Sequence, residues 1–60
     1  MTRGELTQAH LSACITLTII DAQLASAQDP HLRGGLELRR RAIEARKMRA
    51  LAALEKERIA

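Results

Sequence analysis

Two arrangements of residue types in this 60-residue chain could do chemistry. In the first, Cys14 follows His10 by four residues, one helical turn away on a similar face, so a thiol and an imidazole can meet. Nucleophilic catalysis needs such a base, together with a partly open, electropositive setting that favours the thiolate. Cys14 instead stands in the apolar run from Leu11 to Ile20, where a thiol behaves as a small hydrophobe. A packed thiol is therefore the reading adopted, with a catalytic pair and an interchain disulfide as the alternatives. His10 reads as a bundle-end histidine, because metal ligation would need companions. The other histidine, His31, falls at the opposite end of a hairpin, where only an antiparallel second chain would bring it close. No HExxH motif, phosphate-binding glycine loop or acidic cluster with ligand spacing is present. The sequence thus implies no catalytic residues, no metal, no cofactor and no enzymatic activity.

The second arrangement is basic. Arg39-Arg40-Arg41 is followed by Arg46, Lys47 and Arg49. Consecutive helical residues point about 100° apart, so the triplet forms no flat patch. Arg39 and Arg46 do share a side at seven-residue spacing, and Arg49 follows three residues on. Such a row suits the carboxylates of an acidic protein surface, or phosphates. Nucleic acid is the weaker reading, since four glutamates dilute the positive field and no aromatic is available for base stacking. The plainest alternative is a solubilising face that pairs with the chain's own glutamates. Membrane-surface binding is disfavoured because the apolar faces are needed for packing.

Composition restricts the elements that position these groups. There is no Phe, Trp, Tyr or Val, while alanine, leucine and isoleucine number 11, 9 and 5, which argues against a β-sandwich or barrel. A single cysteine excludes an intrachain disulfide framework. At 47% apolar and 28% charged, the chain is too hydrophobic for disorder throughout. Residues 1–30 set Arg3 against Glu5, Asp21 and Asp29, whereas residues 31–60 set nine Lys and Arg against four Glu. The first half is suited to packing and the second to solvent and partners. The start, Met-Thr-Arg-Gly-Glu-Leu-Thr, lacks the pattern of a signal peptide, and the apolar run of ten residues is too short to span a bilayer. A cytoplasmic protein is expected.

Thr2 and Glu5 have capping-box spacing, which starts a helix at residue 3. Leu6, His10, Ala13, Leu17, Ile20, Leu24 and Ala27 then alternate by four and three, a heptad seam. A second row, Leu11, Ile15, Thr18, Ala22 and Ala25, lies beside it and is widened by Cys14 and Ile19. So wide an apolar arc asks for two or three neighbouring helices. Asp29-Pro30 supplies an N-cap and a first helical residue. Starting the second helix there places Gly34 and Gly35 inside it, where they would admit a close backbone or mark a kink. The competing reading makes Gln28 to Gly35 a loop and begins the helix at Leu36. The stripe Leu32, Leu36, Ile43, Lys47, Ala50 and Leu54 starts before the glycines and favours the longer helix. Glu37–Arg41 and Arg40–Glu44 at i,i+4, with Glu44–Lys47 and Glu55–Arg58 at i,i+3, support a solvated helix. Lys56 to Ala60 are expected to fray.

The expected fold is all-α: one domain over residues 1–60, an antiparallel two-helix hairpin with helices over 3–26 and 30–58 and a turn at 27–29. A chain this short buries too little surface to be robust alone, so two hairpins are expected to pair into a four-helix bundle. The expected dimer core is Leu6, Ala13, Leu17, Ile20, Leu24, Ile43 and Leu54. The expected partner-binding residues are Arg39, Arg46, Arg49, Leu38 and Met48.

In format, with its Thr-x-x-Glu start, apolar heptads, Asp29-Pro30 turn and basic second helix, the chain resembles small early proteins of bacterial viruses. These are often helical-hairpin dimers that bind and disable a host regulator or motor. It also resembles, in architecture alone, the plasmid copy-number regulators, dimeric hairpins that bind paired RNA loops. The first resemblance implies a homodimeric inhibitor or regulator of another protein and the second an RNA- or DNA-binding one. A third reading is a structural subunit that completes a larger assembly.

Overall fold

The computed structural model describes residues 2–59, which form α1 (Arg3–Ser26) and α2 (Pro30–Ile59) joined by a three-residue turn. The two helices pack against each other as a hairpin, a rod of 46 × 15 × 14 Å. Each helix begins at a side-chain cap. Thr2 Oγ1 accepts from the Glu5 N–H at 3.1 Å and donates to Glu5 Oε1 at 3.2 Å. Asp29 Oδ1 accepts from the His31 N–H at 3.0 Å, while Pro30 has no N–H to satisfy.

The end of α1 is closed from outside the helix. Its last turn contains no basic residue of its own. Arg33, in the first turns of α2, reaches back across the turn and donates from one guanidinium nitrogen to the Leu24 carbonyl at 2.7 Å and the Ala27 carbonyl at 3.1 Å. A fixed cation thereby meets carbonyls at the negative end of the α1 dipole.

Within α1 the threonine hydroxyls are turned inward on the backbone. Thr7, Thr16 and Thr18 donate to the carbonyls of Arg3, Ser12 and Cys14 at 2.9, 2.9 and 3.0 Å. The donors are consumed inside the helix, so the surface of α1 is more apolar than its threonine content suggests.

The seam between the helices is built from Leu6, Ala13, Leu17 and Ile20 of α1 and Ala50 of α2, all buried. Leu24, Ile43 and Leu54 are half-buried at its edges. These expected dimer-core residues therefore meet their own chain's other helix. Among the described residues one ion pair stitches the hairpin across: Arg40 Nε lies 2.8 Å from Asp21 Oδ1, and its Nη1 lies 3.2 Å from Glu44 Oε1 within α2.

Gly34 and Gly35 lie inside α2 with negative φ, and a Cβ added at either would meet nothing within 4 Å. They serve no close approach of a neighbouring backbone. α2 continues through Lys56 to Ile59, and residue 60, the last of the stretch expected to fray, is outside the described residues.

Candidate functional site

The antiparallel packing leaves a furrow along one side of the hairpin. Its floor is Leu6, Ala13, Ile43 and Ala50, with Ala9, Ser12 and Thr16 along the α1 side and Arg46, Arg49 and Ala53 along the α2 side. The furrow encloses about 470 Å³. Small side chains open it. Four alanines on the two helices, Ala9, Ala13, Ala50 and Ala53, leave space where larger residues would close the cleft. Thr16 contributes little polarity, since its hydroxyl is bonded to Ser12.

Arg46 and Arg49 are exposed at the α2 edge. Arg39 stands seven residues before Arg46 on the same flank, about 10 Å along the helix at a rise of about 1.5 Å per residue. At about 100° per residue, Glu37, Glu44 and Glu55 project from the opposite flank of α2. The furrow flank of α2 thus carries Arg39, Arg46 and Arg49, with Glu57 on the same side eleven residues after Arg46, while the other three glutamates lie away from it. Among the described residues the ion pairs belong to Arg40, and Arg39, Arg46 and Arg49 have no carboxylate partner. Arg49 Nε makes only a long bond, 3.4 Å, to the Ala45 carbonyl of its own helix. The expected pairs Glu37–Arg41, Glu44–Lys47 and Glu55–Arg58 do not form among the described residues, whereas Arg40–Glu44 does.

The structure gives Arg40 a different task from its neighbours. Its hydrogen bond to Asp21, followed by the charges of Asp21 and Glu44, pushes the guanidinium pKa further above its ordinary value. Arg40 is committed to holding α1 against α2, and the sequence triplet separates into one structural arginine and two outward ones.

The remaining expected site residues are placed apart from the furrow. Leu38 and Met48 are 67% and 62% exposed and do not line it. His10 and Cys14 do meet, with Sγ 3.8 Å from Nε2, both partly buried. No third group joins them: among the described residues no three of His, Cys, Asp and Glu come together as a metal site would require. No helix among the described residues is long and apolar enough to cross a membrane.

No protein-family model matches the chain, and comparison with curated proteins and solved structures gave no significant match. The geometry alone carries the functional reading.

Sequence reasoning missed Arg33 altogether. Its role as a cap depends on the turn that brings α2 back past the end of α1, and no spacing within one helix reports it. The furrow was equally hidden, because an alanine is as compatible with a tight seam as with an open one.

Proposed function

We propose that this chain is a non-enzymatic regulator or inhibitor that works by occupying a surface of another protein, and that it does so as a homodimer. The observation that supports this most is the pair Arg46 and Arg49, without a carboxylate partner among the described residues and standing at the edge of an apolar furrow, while Glu37, Glu44 and Glu55 of α2 face the other way. A furrow of this kind suits an amphipathic helix whose apolar side enters the cleft and whose carboxylates reach the arginines. Guanidinium–carboxylate contacts are among the strongest charge-assisted hydrogen bonds and can be bidentate, which sets the orientation of the partner. The apolar floor supplies contact area that a solubilising charge row has no need of.

The test uses a labelled helical peptide with glutamates at positions i, i+3 and i+10 and alanine or leucine between them. The chain should bind it, and the double variant Arg46→Glu, Arg49→Glu should weaken binding at least tenfold with the helical circular dichroism spectrum unchanged. Equal binding by the variant rejects the proposal. Tighter binding of a duplex RNA than of the peptide, falling steeply with added salt, would instead assign the arginine row to phosphates.

A further inference from the structure

We propose that a second copy of this chain covers the outer face of α1, in an antiparallel contact whose two-fold axis passes at Ile15. The inference rests on the homodimer of the proposed function and names the face that forms it. Leu11, Ile15 and Ile19 are 53%, 62% and 54% exposed and follow one another at intervals of four residues. They form a single ridge along α1. At about 100° per residue this ridge lies nearly opposite the seam residues Leu6, Ala13, Leu17 and Ile20, so α2 of the same chain covers none of it. α1 is therefore apolar on two opposed sides, and its own hairpin satisfies one.

Charge decides what kind of surface meets the other side. From Leu6 to Ile20 the sequence contains no Asp, Glu, Lys or Arg. An acidic or basic partner would find no countercharge there. A lipid surface is met by an amphipathic helix with a cationic polar face, and α1 has Arg3 against Glu5 and Asp21. An uncharged surface fits best against another uncharged surface, and the identical copy supplies one.

The ridge is also symmetric in the way a two-fold contact requires. Reversing α1 about Ile15 places Leu11 against Ile19, Ser12 against Thr18 and Gln8 against Ala22. Leucine thus meets isoleucine and one small hydroxyl residue meets another. Thr18 already donates to the Cys14 carbonyl, so the partner faces no unsatisfied donor at that position. Ridges of four-residue spacing interlock at a crossing of about −50°, so the two α1 helices would cross at Ile15 rather than run side by side. The smallest specific interfaces cover about 600 Å² per partner, about an eighth of this chain's 4798 Å² surface. Such a contact leaves α2, and with it Arg39, Arg46 and Arg49, free in both copies.

Sedimentation equilibrium on the full chain tests the face. Ile15→Asp should convert a species of two chains to one at a concentration where the unaltered chain is paired, while Leu38→Asp on α2 should leave the pair intact. Single cysteines in a Cys14→Ala background test the axis: Ile15→Cys should give a linked dimer on mild oxidation, and Gln8→Cys and Ala22→Cys should not. A single-chain mass for the unaltered protein at all concentrations overturns the proposal. So does an undiminished pair in Ile15→Asp, or linkage at positions 8 and 22 as efficient as at 15. Binding of the glutamate peptide is read separately on Ile15→Asp, so loss of the dimer and loss of the furrow's function are told apart.

Discussion

Replacing isoleucine by valine at positions 15 and 20 turns the two-sided character of α1 into a pair of numbers. The substitution is the same, the helix is the same, and the intrinsic helical preference lost is the same, so the difference reports environment alone. Ile20 is 2% exposed, so the deleted methylene is fully withdrawn from water and leaves a space behind. Ile20→Val should cost about 1 kcal/mol, within the usual range of about 0.5–1.5 kcal/mol, and lower the melting temperature by about 4–8 °C. Ile15 is 62% exposed, so roughly a third of its transfer energy is at stake within a single hairpin. With about 0.8 kcal/mol per buried methylene, Ile15→Val should cost about 0.3 kcal/mol in dilute solution. Thermal melts followed by circular dichroism at two widely separated concentrations complete the test. The Ile20→Val cost should be the same at both, because it belongs to the intrachain seam, whereas the Ile15→Val cost should rise with concentration as the outer face becomes covered. Equal costs at the two positions in dilute solution would mean that α1 is rotated from the orientation described, and the reasoning would fail.

Two further outcomes follow from the backbone and the caps. Gly34→Ala and Gly35→Ala should each stabilise the chain by roughly 0.5–1 kcal/mol, since both positions are helical and a Cβ there meets nothing within 4 Å; a loss of stability in urea melts would contradict the account. Arg33→Met should destabilise by about 0.3–1 kcal/mol by releasing the Leu24 and Ala27 carbonyls, with amide exchange at the end of α1 accelerated and the start of α1 unaffected.

Parts of this fold are legible in the sequence because the information is local. Thr2 with Glu5 and Asp29 with Pro30 are caps, and a cap acts within one turn of itself. The heptad spacing of Leu6, Ala13, Leu17 and Ile20 likewise needs only a helix to become a stripe. What escapes is whatever depends on the second helix. Two apolar rows run along α1, and spacing alone does not say which one α2 takes. The structure gives it the first and leaves Leu11, Ile15 and Ile19 outside. Arg40 looks like one more member of a basic run with an i,i+4 glutamate. Its stronger partner, Asp21, lies nineteen residues back, on the other helix. Arg46 and Arg49 become a candidate site only when the alanines of both helices face one furrow, a property of the pair of helices rather than of either.

The central claim is that α1 has two apolar sides, one met by its own chain and one by a copy. The molar mass of the unaltered chain over a wide concentration range tests this most directly. It should climb from 6.6 kDa on dilution toward twice that value on concentration, in a single reversible step. A constant 6.6 kDa, with the helices intact and the outer face of α1 still open to water, would contradict it.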